Sequence, residues 1–184
     1  MSIPNLLAVL RLILTPVAMY LILQSPGSRG YAIAATVVFV IAALTDFADG
    51  YLARRWRITT TLGAFLDTVA DKILVIGALL ALVEIGWTSS WVAFIIIARE
   101  VAIMGLRSVA ALDQSTVPPS MWGKSKAAIQ FTAISFAILH LDIMIGGWRL
   151  DQWLMGAAVV VTVLSAGDYF SRFRAVLTTG DRAE

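Results

Sequence analysis

"YAIAATVVFVIAALTDFADGYLAR", Tyr31 to Arg54, decides the fold. Its apolar part, Tyr31 to Phe47, comes close to the roughly 20 residues that cross a bilayer. Its end carries Asp46, Asp49, Gly50 and Arg54, and ionisable groups at such a place are costly enough to mark function by default. Similar apolar runs recur at Ile3–Leu23, Leu62–Val83, Trp91–Leu106, Trp122–Leu141 and Trp153–Phe170. Between them lie "SPGSRG" (Ser25–Gly30), "GWTSS" (Gly86–Ser90), "DQSTVPPS" (Asp113–Ser120) and "GGWRLD" (Gly146–Asp151), all rich in turn-forming residues.

Composition agrees with a membrane chain. Of 184 residues, 59% are hydrophobic and 14% charged, against about 25% charged in soluble domains; the mean hydropathy is +0.85. The expected fold is an all-α integral membrane protein of six transmembrane helices. One domain spans 1–177, and 178–184 form a C-terminal tail. The first run has neither the basic leader nor the cleavage site of a secretory signal and reads as a retained helix. No cysteine is present, which removes disulfides, zinc–thiolate sites and thiol nucleophiles. A net charge of +2 argues against a nucleic-acid partner.

Basic residues orient the chain. Arg54, Arg55 and Arg57 follow the second run, Arg107, Lys124 and Lys126 flank the fourth connection, and Arg172, Arg174 and Arg182 lie near the C-terminus. The alternate connections hold only Arg29 and Arg149. The positive-inside rule then places both termini and the acidic stretch at the cytoplasmic face. Tryptophans 87, 91, 122, 148 and 153 lie near run ends, as in an aromatic belt.

At 3.6 residues per turn, Asp46, Asp49, Gly50 and Ala53 share one helix face, and Gly63, Asp67 and Asp71 share another. Were those helices antiparallel neighbours, four carboxylates would converge beside two glycines that permit close approach. Such a cluster cannot remain ionised without cations, and all-oxygen ligation suits hard divalent ions. Two metals there would clamp a phosphoryl group, with Arg54 offering a forked contact to phosphate. A lone aspartate near a helix end is usually solvated or capping, and pairs could be salt-bridged by Arg54, Arg55 or Lys72. Four acids on two facing helices, with glycines between, favour a site.

From Asp46 to Asp71 the residues read D-x2-D-G-x2-A-R-x8-G-x3-D-x3-D. This resembles the signature of the CDP-alcohol phosphatidyltransferase family at every fixed position. "IPNLLAVLR" (Ile3–Arg11), "AREVAIMGLR" (Ala98–Arg107) and "WGKSK" (Trp122–Lys126) are similar to its bacterial phosphatidylglycerophosphate synthases, which commonly have threonine at Ala8 and proline at Thr68. The resemblance implies a homodimer in the bacterial inner or plasma membrane, with a polar cavity open to the cytoplasmic face. It implies two divalent cations, Mg2+ or Mn2+, on Asp46, Asp49, Asp67 and Asp71, with Asp71 also the general base. CDP-diacylglycerol would lie against Gly50, Ala53, Arg54, Thr60 and Gly63, with Asn5 and Arg11 near nucleotide or acceptor. Arg99, Arg107, Lys124 and Lys126 would hold the phosphate of glycerol 3-phosphate, unless the two lysines serve only topology and Arg99 pairs with Glu100. Inositol phosphate, another alcohol, or phosphatidylglycerol giving cardiolipin are alternative acceptors.

Two other classes predict different patterns. An ion-coupled transporter would show discontinuous helices with matched polar breaks, and an aspartate-rich prenyltransferase would space its acids differently. His140, the sole histidine, lies near the outer end of the fifth run and suggests no metal role. Asp168 is either a supporting partner of the site or a solvated helix end.

Overall fold

An apolar chain satisfies its own backbone groups most simply as helix, and each of the six runs becomes one. In this computed structural model the backbone of residues 3–56, 61–112 and 121–180 is described, with the side chains of 6–45, 68–110 and 126–173. The helices are α1 (Ile3–Gln24), α2 (Arg29–Trp56), α3 (Thr61–Glu84), α4 (Ser90–Leu112), α5 (Met121–Leu139) and α6 (Leu150–Gly180). A single 3-10 turn, Ser25–Gly27, joins the first two.

Helix starts fall close to the starts of the apolar runs, whereas α2, α4 and α6 overrun at their C-termini. They reach Trp56 rather than Phe47, Leu112 rather than Leu106, and Gly180 rather than Phe170. Hydropathy records where lipid contact ends, but the hydrogen-bond ladder continues through residues that keep good helix propensity. The acidic stretch from Thr45 to Arg54 is therefore wholly helical. Among the described residues, Leu6–Gly27 and Leu150–Phe173 are long and apolar enough to cross a bilayer, while Arg29–Thr45 and Lys126–Leu139 are shorter apolar helices.

Polarity is arranged in the reverse of a water-soluble bundle. Leu6, Leu10, Ile13, Val17 and Tyr20 on α1 and Ile33, Val37, Ile41 and Leu44 on α2 face outward at helical spacing. Val160, Val163, Leu164 and Phe170 do so on α6. Arg11, Glu100, Lys126 and Asp151 are buried. Apolar outer stripes of this extent mark a surface meant for something other than water, and the charges inside fit a bundle surrounded by lipid.

The interior is built largely of alanine between a few large side chains. Ala35, Ala42, Ala43, Ala78, Ala81, Ala133 and Ala137 pack with Phe39, Leu74, Leu79, Leu82, Ile96, Ile134 and Ile138. Small residues let backbones approach where burial of apolar area provides little drive in lipid. Helix α1 packs most extensively against both α2 and α3, and α5 against α6; α4 leans on α6 and α2 on α5. The α1–α3 approach is tightest at Gly77, where an added Cβ would meet Thr15 Cγ2 and Met19 Sδ, each at 2.9 Å. Thr15 cannot easily yield, because its hydroxyl donates to the Arg11 carbonyl at 2.9 Å.

The break before α6 is more ordered than its turn residues suggested. Met144–Ile145 and Trp148–Arg149 pair as an antiparallel hairpin, in the register Met144 to Arg149 and Ile145 to Trp148. Gly146 and Gly147 form its turn with φ of 59° and 84°, the positive values a two-residue hairpin loop demands. Arg149 ties down its base: Nε donates to Asp151 at 3.2 Å, Nη1 to Asp142 at 3.0 Å and Nη2 to the Leu141 carbonyl at 3.0 Å. His140 follows the last turn of α5 in the left-handed region, φ 45°, with its N–H donated to the Phe136 carbonyl, a position more often filled by glycine. Its ring stacks on Trp87 at 4.0 Å between centroids, and Nδ1 lies 3.2 Å from Asp151 Oδ2. Burial and then the Arg149 guanidinium hold His140 below its ordinary pKa, outweighing the pull of Asp151 and Asp142.

Two outcomes are expected from these contacts. Gly77→Ala should lower the unfolding temperature in detergent: overpacking costs about 1–3 kcal/mol, against up to about 1 kcal/mol gained in helix propensity. Thr15→Ser, which removes the opposing methyl, should restore much of that loss. For His140 the folded pKa is depressed, so its contribution is fully present above the unfolded value and is lost as pH falls through the folded one. Thermal melts in detergent should therefore weaken from about pH 6.5 downward, and His140→Gln should flatten that part of the curve.

Candidate functional site

Helices α2 and α3 carry the two halves of the acidic signature, and α1 packs against both. Asp46, Asp49, Gly50, Ala53 and Arg54 fall within α2, and Gly63, Asp67 and Asp71 within α3. Of these eight, Asp71 alone has a described side chain. Asn5 on α1 and Lys124 on α5 belong to described helices, but their side chains lie outside the described residues, and Thr60 lies outside them entirely.

Just before the first acid, α1 is clamped to α2. Arg11 is fully buried, and its Nε donates to the Ala42 carbonyl at 3.2 Å. Thr45 donates its hydroxyl to the same oxygen at 2.7 Å. Ala42 precedes Asp46 by about one helical turn. The Nε of the guanidinium read from sequence as near nucleotide or acceptor thus reaches into the α1–α2 seam, at the root of the signature.

Asp71 lies at the edge of a basic cluster assembled from three helices. Its carboxylate, 21% exposed, pairs through Oδ2 with Lys72 Nζ. Lys72 also reaches Glu100 Oε2 on α4 at 3.2 Å. The other Glu100 oxygen pairs with Lys126 Nζ of α5 and lies 3.6 Å from Arg99 Nη1. Arg99 Nη2 donates to Ser165 Oγ on α6 at 3.1 Å. Of the four cations expected to hold an acceptor phosphate, Arg99 and Lys126 are brought together. Arg107 lies two turns further along α4, its guanidinium over the Tyr169 ring at 5.6 Å.

Sequence reasoning left Lys72 and Glu100 out of the site. Lys72 was legible only as a salt-bridge partner, and it is one, to two acids at once. Glu100 reads from sequence as a neighbour for Arg99. That it is buried and faces lysines from two other helices depends on packing, which periodicity alone does not give. Asp168 pairs with Arg172 one turn on, at 3.1 Å.

The expected donor set for a metal is carboxylate oxygen throughout, which suits hard divalent cations rather than soft ones. The partly exposed Asp71 carboxylate can be reached from outside the protein, as a ligand shared with substrate requires. Of that set only the Asp71 side chain is described, and its carboxylate is an oxygen donor of the kind such ions take.

The sequence profile for CDP-alcohol phosphatidyltransferase matches residues 1–164. The chain belongs to the CDP-alcohol phosphatidyltransferase family. A Bacillus subtilis (strain 168) protein named CDP-diacylglycerol–glycerol-3-phosphate 3-phosphatidyltransferase is 34% identical, over 98% of this chain and 99% of its own length. Proteins of the same name from Escherichia coli (strain K12) and Haemophilus influenzae are each 38% identical. The former aligns over 96% of this chain and 97% of its own length; the latter over 90% and 85%. The family match runs from α1 into α6, so both halves of the signature and the basic cluster lie within it.

Proposed function

We propose that the protein transfers the phosphatidyl group of CDP-diacylglycerol to glycerol 3-phosphate, giving phosphatidylglycerophosphate and CMP. The observation that carries this reading is the grouping of Lys72, Arg99 and Lys126 around Glu100, beside the last aspartate of a complete family signature. An acceptor that is itself a phosphate requires cationic groups of this kind next to the reacting carboxylate. The names of the B. subtilis, E. coli and H. influenzae relatives point to the same donor and acceptor.

Asp46, Asp49, Asp67 and Asp71 would hold two divalent cations, Mg2+ or Mn2+, which when bound neutralise the pyrophosphate and the leaving group. Gly50, Ala53, Arg54, Thr60, Gly63 and Asn5 would bind the CDP-lipid, the small residues among them being of the kind that permit close approach. Arg99, Arg107, Lys124 and Lys126 would hold the acceptor phosphate. Asp71 takes the proton from the acceptor hydroxyl as its oxygen bonds to the lipid phosphorus, and the bond from that phosphorus to CMP breaks. Positioning and charge neutralisation carry most of phosphoryl-transfer catalysis, so a carboxylate suffices as base.

Around this chemistry we read six transmembrane helices in one domain, 1–177, followed by the tail 178–184. Both termini and a polar cavity face the cytoplasm, and the protein works as a homodimer in the bacterial plasma membrane. Every long helix runs unbroken over its described residues, which favours a lipid enzyme over a transporter built on discontinuous helices.

CMP release by the purified protein, with CDP-diacylglycerol and either metal, tests the reading. Glycerol 3-phosphate should support release, and inositol phosphate, inositol and phosphatidylglycerol should not; chelation should abolish it. Release with another acceptor would keep the chemistry and change the product. Asp71→Asn should lower kcat by at least about a hundredfold while CDP-diacylglycerol still binds, and Asp67→Asn should abolish turnover. An Asp71→Asn enzyme that turns over normally, or one that merely loses donor binding, would remove Asp71 from the role of base.

A further inference from the structure

The basic cluster has an acid at its centre, and that acid is not needed to bind a phosphate. Glu100 is buried, 4% exposed. Its two oxygens are divided among three cations: Lys126 and Arg99 on one, Lys72 on the other. Four helices meet there, because Arg99 continues to Ser165 on α6. One carboxylate cannot neutralise three cations, and counting Asp71 as the partner of Lys72 still leaves one positive charge in excess among the described residues. Moreover, the Nε of Arg99 is buried and meets no hydrogen-bond acceptor among the described residues. A donor shut away in that manner calls for a partner.

These observations define a cradle that is held together yet incompletely satisfied. Without a central anion, three like charges drawn from α3, α4 and α5 would repel one another and turn apart. With one more anion beside Glu100 and Asp71 they would be matched, and the net attraction for an incoming phosphate would be lost. Glu100 at the centre lies between these cases: it gathers the cations and, even with Asp71 at the edge, leaves them net positive.

We propose that Glu100 is a positioning residue that gathers Lys72, Arg99 and Lys126 into one preorganised receptor for the acceptor's phosphate. It does not touch the substrate. It acts through the cations and sets how tightly an anionic acceptor is held, without entering the chemical step. The inference rests on the phosphatidyl-transfer reading above, and deepens it by separating the residue that organises the acceptor site from those that bind.

The test is a comparison of KM values in the full-length enzyme. Glu100→Gln keeps the shape of the side chain and removes its charge. It should raise KM for glycerol 3-phosphate by roughly tenfold or more, the scale of a lost charged hydrogen bond. KM for CDP-diacylglycerol should change by less than about twofold, since that substrate is held elsewhere. In the Lys126→Met background, where the principal cation is already gone, the same change should add much less. If Glu100→Gln does not fold, Glu100→Asp retains the charge one methylene further back and should show the same split at smaller amplitude. Equal shifts in both KM values, or an unchanged acceptor KM in a folded variant, would reduce Glu100 to a structural salt bridge and overturn the proposal. Wild-type release of CMP is the separate control. Should the wild type use another anionic acceptor, the acceptor assignment fails while the KM comparison is repeated with that acceptor.

Discussion

With apolar side chains on the outward faces of α1, α2, α4 and α6, every charge inside the bundle must find its partner inside the bundle. Much of the structure follows from that constraint. Arg11 spends its Nε on a helix carbonyl. Glu100 serves cations from three helices at once. Removing one member of such a set leaves the others buried without compensation, and that penalty usually exceeds what the intact pair contributes.

The same constraint separates two kinds of interior. Toward one end the helices meet through alanines around Phe39, Leu79 and Ile138, with Gly77 permitting the closest approach. Toward the other, α4 and α6 pack through the smaller group of Ile103, Ala110, Tyr169 and Phe173, close to Arg107. In the cluster of Asp71, Lys72, Arg99, Glu100 and Lys126, the side chains of Glu100 and Lys126 are buried while Asp71 and Lys72 stay partly exposed. Charges so buried are screened less than exposed ones.

Much of this was legible in the chain, for identifiable reasons. Apolar runs report helices well because helix is the only economical backbone in lipid, so six runs gave six helices. Run ends were poorer guides: hydropathy falls at Phe47, but Leu52 and Ala53 continue α2 to Trp56. The hairpin at Met144–Arg149 was missed although Gly146-Gly147 was its signal, because strands of two residues carry no periodicity to detect. The aspartates stood out in the chain since their spacing is local along two helices. Glu100 could not, since its meaning comes from Lys72 and Lys126, which lie 28 and 26 positions away in sequence and meet it only through packing. The contact of Arg11 Nε with the Ala42 carbonyl was not legible, because sequence does not reveal which way a buried guanidinium turns.

The position of α1 against both α2 and α3 bears on how the protein is made. A chain emerges from the ribosome at about 5–20 residues per second, N-terminus first. The helix that braces both acidic segments is therefore waiting in the membrane when they arrive, and Arg11 is on hand to seat α2 as it inserts. The cations of α4 and α5 come later, so Glu100 is made before Lys126, one of the two lysines it pairs with.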